Sequence, residues 1–244
     1  MKTVSALNKL ANIKYIFLDA DETLLDFPFA EHYAFKATME HFGISYSDKL
    51  YSDYSAENLG LWKKLEKGEI TKPRLLSLRY ENLFERNGIT VESVDEVNEC
   101  YFSFMRKCGK IIENADKLCE TLCKKYKLYI ATNGTRNVAM GRLEQSGLLP
   151  FITDVFISDY IGHNKPSREF FDYCFNKIGD YDRSRYIILG DSLTSDMQGG
   201  KNAGIATCLY DPKNKTKMPN DLCDYKIDRL LDFAKLLMKG NNNE

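Results

Sequence analysis

Short apolar runs alternate with longer stretches of helical periodicity along most of this chain. The runs at 14–18, 127–131, 154–157, 186–189 and 206–210, with a weaker one at 225–227, are mostly continuous rather than alternating. Continuous apolarity is the pattern of strands covered on both faces. Between them the helical stretches carry start and stop signals. Asn114 can cap a helix reaching Tyr126, with Leu118, Leu122 and Tyr126 stacked at intervals of four. A helix over Arg136–Ser146 stops at Gly147, one over Arg168–Ile178 follows Ser167 and stops at Gly179, and one over 195–203 stops at Gly204. Strand–helix alternation of this kind predicts an α/β fold with a doubly wound parallel sheet.

One stretch breaks the rhythm. More than a hundred residues separate the first strand from the second, and most of them read as helix: 29–42, 58–67, 73–87 and 92–107, punctuated by Gly43, Gly68 and Gly88. A single crossover needs far fewer, so the stretch is expected to be a separate helical unit. The expected division is a catalytic core over 1–26 and 109–244 and an inserted all-helical cap over 27–108. The polar tail 240–244 is expected to fray.

Composition narrows the class. Net charge is −1, from 34 basic and 35 acidic residues, with 43% hydrophobic and 28% charged positions. That is ordinary for a globular protein, and no basic excess or basic amphipathic stretch points to a nucleic-acid polymer or a membrane surface. The N-terminus shows no signal-peptide pattern, and no apolar run is long enough to span a bilayer. The seven cysteines include no C-x-x-C pair. They are expected to be reduced small hydrophobes in a cytoplasmic protein.

The ends of the strands carry the chemistry. The first runs into Asp19-Ala20-Asp21-Glu22-Thr23. Residues two apart in extended chain point the same way, so Asp19 and Asp21 are expected to face one site at the C-terminal edge of the sheet, where ligands bind in such folds. Adjacent carboxylates repel; a divalent cation or a retained proton relieves them. One could attack phosphorus while the other protonates the leaving oxygen. The second strand ends in Thr132-Asn133-Gly134, a hydroxyl, an amide and free N–H groups at a helix start, suited to phosphate. The third is followed by Lys165 before Pro166, which is expected to open the next helix and so set the direction of the lysine. The fourth ends in Gly190-Asp191, with Asp196 five residues on, hard oxygen ligands suited to Mg²⁺. Each segment alone has a bland reading as a capped turn or a solvated charge. Four together on one sheet edge do not.

These segments resemble the motifs of the haloacid dehalogenase-like hydrolase superfamily: Asp19–Thr23 its D-x-D-x-T motif, Thr132 its second-motif hydroxyl, Lys165 its third-motif lysine, Asp191 and Asp196 its closing acidic motif. The insertion after the first motif is similar in position to the helical cap of the C1 class. The segments 19–23, 26–27, 62–70 and 190–204 resemble the pyrimidine 5′-nucleotidase branch, although Glu22 stands where relatives often have Gly. The resemblance implies a Rossmann-like core and a Mg²⁺-dependent phosphatase acting through an aspartyl phosphate. Asp19 would be the nucleophile and Asp21 the acid and base. Thr132, Asn133 and Lys165 would hold the phosphoryl group. Asp19, Asp191 and the main-chain carbonyl of Asp21 would hold the metal. Asp196 would orient a metal-bound water or pair with Lys165.

A second acid two residues after the nucleophile favours phosphate esters over halides, because an alkoxide needs a proton to leave and a halide does not. The expected substrate is a small phosphorylated metabolite, most readily a nucleoside 5′-monophosphate, and the expected assembly a monomer or weak homo-oligomer. A sugar-phosphate phosphatase, a phosphomutase and a catalytically silent binding protein remain alternatives. In the insertion, Trp62, Arg79, Phe27, Phe29 and Phe35 are candidates for contacting the rest of the substrate, but aromatics at helical spacing more often form core. His32, His41 and His163 have no partner spacing and receive no catalytic role, and no Ser–His–Asp or zinc-ligand arrangement is present.

Overall fold

The computed structural model of the chain describes residues 10–241, so the ends of the chain, 1–9 and 242–244, lie outside the described residues. The first part of the tail that was expected to fray, Gly240 and Asn241, closes the last helix.

Six strands form one parallel sheet in the order β3-β2-β1-β4-β5-β6: β1 (Tyr15–Leu18), β2 (Lys127–Thr132), β3 (Asp154–Ile157), β4 (Tyr186–Gly190), β5 (Ala206–Tyr210) and β6 (Tyr225–Ile227). Both faces are covered, which is why the runs are continuous. Ile16 and Leu18 of β1 enter one core and Phe17 the other. The chain winds outward from β1 through β2 to β3, then returns to β4 on the opposite side of β1. The direction therefore reverses between β1 and β4, and crevices open at the C-terminal ends of strands at such a switch point.

The insertion holds four helices: α1 (Phe27–His41), α2 (Asp48–Glu66), α3 (Lys72–Asn87) and α4 (Val94–Met105). They enclose an apolar cluster including Ala34, Phe35, Tyr54, Tyr80, Leu83, Val97 and Tyr101, which Val138 joins from the sheet side. Helix α2 starts ten residues earlier than expected, with the Ser47 side chain accepting from Leu50 N at 3.1 Å. The buried face of α2 is Leu50, Tyr54, Asn58, Leu61 and Leu65, and the polar Asn58 in that row hides the periodicity from a sequence reading.

The core helices are α5 (Ala115–Leu122), α6 (Arg136–Ser146), the short α7 (Ser158–Ile161), α8 (Arg168–Ile178), α9 (Gln198–Ala203) and α10 (Leu230–Asn241). The helices α7 and α10 have no counterpart in the sequence reading, and two others differ from expectation. Asn114 makes no side-chain cap; it is itself left-handed (φ 65°), and α5 ends at Leu122 so that Tyr126 follows a turn. The helix expected over 195–203 is a π-helical turn, Leu193–Met197, running into α9. All seven cysteines are free. Among the described residues no helix is long and apolar enough to cross a membrane.

Candidate active site

Strand register places the chemistry. Leu18 pairs with Ile130 on one side and Leu189 on the other; β1 ends there, so Asp19 leaves the sheet first, while β2 runs on to Thr132 beside Ile157 and β4 to Gly190 beside Leu209. Asp19 is held in line by its N–H donating to Leu189 O at 2.9 Å. After it the chain folds tightly on itself, with Leu24 N and Leu25 N both donating to Ala20 O and Glu22 N donating to Leu25 O. Glu22 takes φ 60° at that turn, a left-handed conformation easiest for glycine, which explains why glycine suits this position.

Lys165 stands at the centre. Its ammonium, 1% exposed, donates to Asp19 Oδ1 at 2.6 Å, Asp196 Oδ1 at 2.6 Å and Ala131 O at 2.5 Å, using all three of its hydrogens. Asp196 Oδ2 accepts from Ser192 N at 3.1 Å. A Cβ on Gly190 would lie 2.2 Å from Asp196 Oδ2, so this carboxylate reaches the lysine only because residue 190 has no side chain. The direction of Lys165 is not set by a helix beginning at Pro166, since α8 begins at Arg168. It is set by Asn133, whose Oδ1 accepts from Lys165 N at 2.8 Å and whose Nδ2 donates to Lys165 O at 2.9 Å. The Asn133 amide, expected in the phosphate cradle, thus clamps the lysine segment.

Thr132 is buried, and its Oγ1 accepts from Gly134 N at 3.0 Å, leaving the hydroxyl hydrogen to donate elsewhere. Thr23 Oγ1 donates to Asp191 Oδ1 at 3.4 Å. Oxygens of Asp19, Asp191 and Asp196 all lie within 4.8 Å of one another. Burial pushes Asp19 up to about 8, the charge of Asp196 adding to this and Lys165 opposing it. Burial and the neighbouring Asp19 and Asp196 charges raise Asp191 well above the usual range as well. Burial works against the Lys165 cation, but Asp19 and Asp196 outweigh it and raise its pKa. Three carboxylates facing one ammonium leave an excess of negative charge on hard oxygens, which fits a divalent cation.

These groups open into a cavity of about 430 Å³, roofed by the insertion. Asp19, Asp21, Thr132, Asn133, Lys165, Asp191 and Asp196 all line it. Asp21 does not join the carboxylate cluster: its Oδ1 accepts from Arg142 Nη1. From the insertion, Phe27, Leu59 and Trp62 supply an apolar wall. Glu31, Ser55 and Asn58 supply a polar one, in which Glu31 accepts from Ser55 Oγ and Asn58 Nδ2, both at 2.8 Å. Phe27 and Trp62 thus reach the cavity, whereas Phe35 and Arg79 belong to the core of the insertion. Arg79 is buried, lies 4.6 Å from the Tyr101 ring centroid and donates to Asn98 Oδ1 at 2.8 Å. Phe29 is exposed beside Lys110. None of His32, His41 and His163 lines the cavity, and all three are exposed.

Two contacts draw the roof onto the sheet. Lys72 Nζ donates to Asn133 O and Ser158 Oγ, both at 2.8 Å, and to Asp159 Oδ1; Thr194 Oγ1 donates to Glu66 Oε2 at 2.5 Å. Neither Lys72 nor Arg142 was picked out in the sequence. A signal existed for Arg142, a charge on the otherwise apolar face Val138, Ala139, Leu143 of α6, since a buried charge requires partners.

The sequence pattern of the haloacid dehalogenase-like hydrolase family matches residues 13–204. The chain is 35% identical over 224 residues to pyrimidine 5′-nucleotidase PynA of Streptococcus pneumoniae, covering 90% of this chain and 94% of that one. It is 31% identical over 225 residues to pyrimidine 5′-nucleotidase YjjG of Escherichia coli, covering 92% and 98%. The crystal structure of the putative HAD-hydrolase YfnB from Bacillus subtilis bound to magnesium superposes with a TM-score of 0.87 at 32% identity, covering 93% of this chain and 99% of that one. The chain belongs to the haloacid dehalogenase-like hydrolase family and is a hydrolase.

Proposed function

We propose that this member of the haloacid dehalogenase-like hydrolase family is a Mg²⁺-dependent phosphatase that cleaves nucleoside 5′-monophosphates, pyrimidine nucleotides foremost, through a phosphorylated Asp19. The observation that carries the reading is the buried Asp19–Lys165–Asp196 ion cluster beside Asp191, at the floor of a cavity of small-molecule size.

Asp19 and Asp191, with the main-chain carbonyl of Asp21, would hold the metal, which supplies positive charge to offset the carboxylates and the phosphate. The Asp19 carboxylate attacks phosphorus, and the bond from phosphorus to the ester oxygen breaks. Asp21 gives its proton to that oxygen as it departs. Asp21 then takes a proton from water, whose oxygen attacks the same phosphorus and releases phosphate from Asp19. The Thr132 hydroxyl and Lys165 steady the phosphoryl oxygens as charge shifts. Because all three Lys165 hydrogens are committed, it reaches the phosphoryl group as Asp19 turns from it toward phosphorus. The apolar wall of Phe27, Leu59 and Trp62 suits the flat face of a base, and the Ser55 and Asn58 side suits its polar edge or the sugar. Two pyrimidine 5′-nucleotidases among the relatives support the choice of base.

The test is phosphate release from a panel of nucleoside monophosphates and sugar phosphates, with and without Mg²⁺. Metal-dependent release, fastest from pyrimidine monophosphates, is expected, and Asp19→Asn should abolish it while the protein stays folded. Release confined to sugar phosphates would overturn the nucleotide assignment; an active Asp19→Asn variant would overturn the covalent route.

A further inference from the structure

Arg142 is 1% exposed, and its guanidinium is shared among three places. Nε donates to Cys108 O at 3.1 Å, Nη2 to Asp26 O at 3.4 Å and Nη1 to Asp21 Oδ1. Asp26 immediately precedes α1 and Cys108 lies just beyond α4, so the two carbonyls belong to the outgoing and returning crossings between sheet and insertion. The returning crossing lies directly on α6. A Cβ on Gly109 would meet Gln145 C at 2.3 Å, and one on Gly141 would meet Arg106 Cβ at 2.8 Å. Two residues without side chains therefore permit the close approach that puts Cys108 O within reach of Arg142.

We propose that Arg142 is a positioning residue: it aims the Asp21 carboxylate for proton transfer and ties that aim to the two crossings that carry the insertion. The inference rests on the reading above, in which Asp21 is the acid and base. A guanidinium is a rigid planar fork, so fixing two of its nitrogens on main-chain carbonyls fixes where the third points. That third nitrogen anchors Oδ1 of Asp21. The other oxygen, Oδ2, faces the Thr132–Gly134 loop, 3.8 Å from where a Cβ on Gly134 would sit. One carboxylate oxygen is thus held by the protein and the other is presented toward the phosphate cradle, where the leaving oxygen must lie. Any shift of the insertion that moves Asp26 O or Cys108 O moves the guanidinium and with it Asp21. A carboxylate without this anchor would turn freely about its side-chain bonds and lose its orientation.

The test compares two esters by kcat/KM, which reports events up to departure of the leaving group. A nucleoside 5′-monophosphate releases an alkoxide that needs a proton, whereas p-nitrophenyl phosphate releases a phenolate that does not. In Arg142→Met the nucleotide value should fall by about 10²-fold and the aryl value by less than about 5-fold, the selective loss expected when general-acid help is removed. A merely structural role would lower both alike. Arg142→Lys keeps the charge but not the fork; it should lose selectively by about 10-fold, and it carries the same test should Arg142→Met not fold. In an Asp21→Asn background, Arg142→Met should add no selective loss. Equal losses on the two esters, or none on the nucleotide, overturn the inference. If Asp21→Asn itself hydrolyses nucleotides normally, the acid–base reading fails; if Asp21→Asn is selectively impaired and the Arg142 variants are not, only the role of Arg142 fails.

Discussion

Replacing Lys165 by methionine keeps the length and apolar body of the side chain but removes the cation that bridges Asp19 and Asp196. Three hydrogen bonds disappear, at 2.6, 2.6 and 2.5 Å, in a place where the amine is 1% exposed. Breaking a buried ion pair from one side costs about 3–5 kcal/mol, because the abandoned charge stays desolvated. A proton on Asp19, whose pKa burial already pushes up to about 8, relieves part of this. The deficit should therefore be largest above that pH and shrink in mildly acid buffer, where Asp19 is neutral. Lys165 itself does not contribute to this slope. Its folded-state pKa lies above the ordinary 10.5, so its protonation is complete in both states across the neutral range.

The assay is urea unfolding of wild type and Lys165→Met without metal, at a mildly acid and a mildly alkaline pH. A Lys165→Met/Asp196→Asn double variant should recover part of the loss, since one uncompensated charge goes with it. Turnover of Lys165→Met should fall by about 10²–10³-fold, the typical effect of removing one charge aimed at a developing negative charge. A deficit below about 1 kcal/mol that does not vary with pH would refute the claim that Lys165 is the counter-ion of this cluster.

Gly190→Ala puts a methyl 2.2 Å from Asp196 Oδ2, so Asp196 must leave Lys165; about 1–3 kcal/mol of stability and most of the activity should go with it, read by unfolding and phosphate release. Folded Asp19 keeps its proton up to about 8 whereas an unfolded aspartate releases it near 3.8, so the metal-free protein should lose stability as pH rises between those values. Mg²⁺, which binds the ionised acids, should consequently raise the melting temperature more near pH 8 than in mildly acid buffer; the opposite order would contradict the carboxylate cluster as the binding site. Lys72→Ala removes the link from α3 to Asn133, Ser158 and Asp159 and should raise KM for nucleotides by about 10-fold, with faster amide exchange at the start of α3, because the roof is held less firmly over the cavity.

Much of the site can be read along the chain because each part is local. Asp19, Thr132 and Asp191 follow apolar runs that any parallel sheet must bury, and parallel strands release their C-terminal ends on one edge. The glycines after α6 and α8 mark true helix ends, Gly147 and Gly179 both being left-handed. Local signals failed where a polar residue sat on a buried face. Asn58 interrupts the apolar row of α2 because its partner is Glu31, on another helix. Asn114 has the chemistry of a cap, but its backbone is left-handed and its side chain makes no cap bond.

What the sequence by itself determined is the order of the strands and of most helices between them, the set of acids, hydroxyl and lysine at the strand ends, and the presence of a helical insertion. Those follow from periodicity and from residue chemistry, which act over a few positions. The tertiary structure decided which charges meet. Lys165 joins Asp19 across 146 positions, Arg142 joins Asp21 across 121, and Lys72 joins Asp159 across 87. For Lys165 and Arg142, each 1% exposed, burial removes water and leaves the cation no alternative to the opposite charge that packing brings beside it, whereas Lys72 and Asp159 meet nearer the surface, where the insertion approaches the sheet.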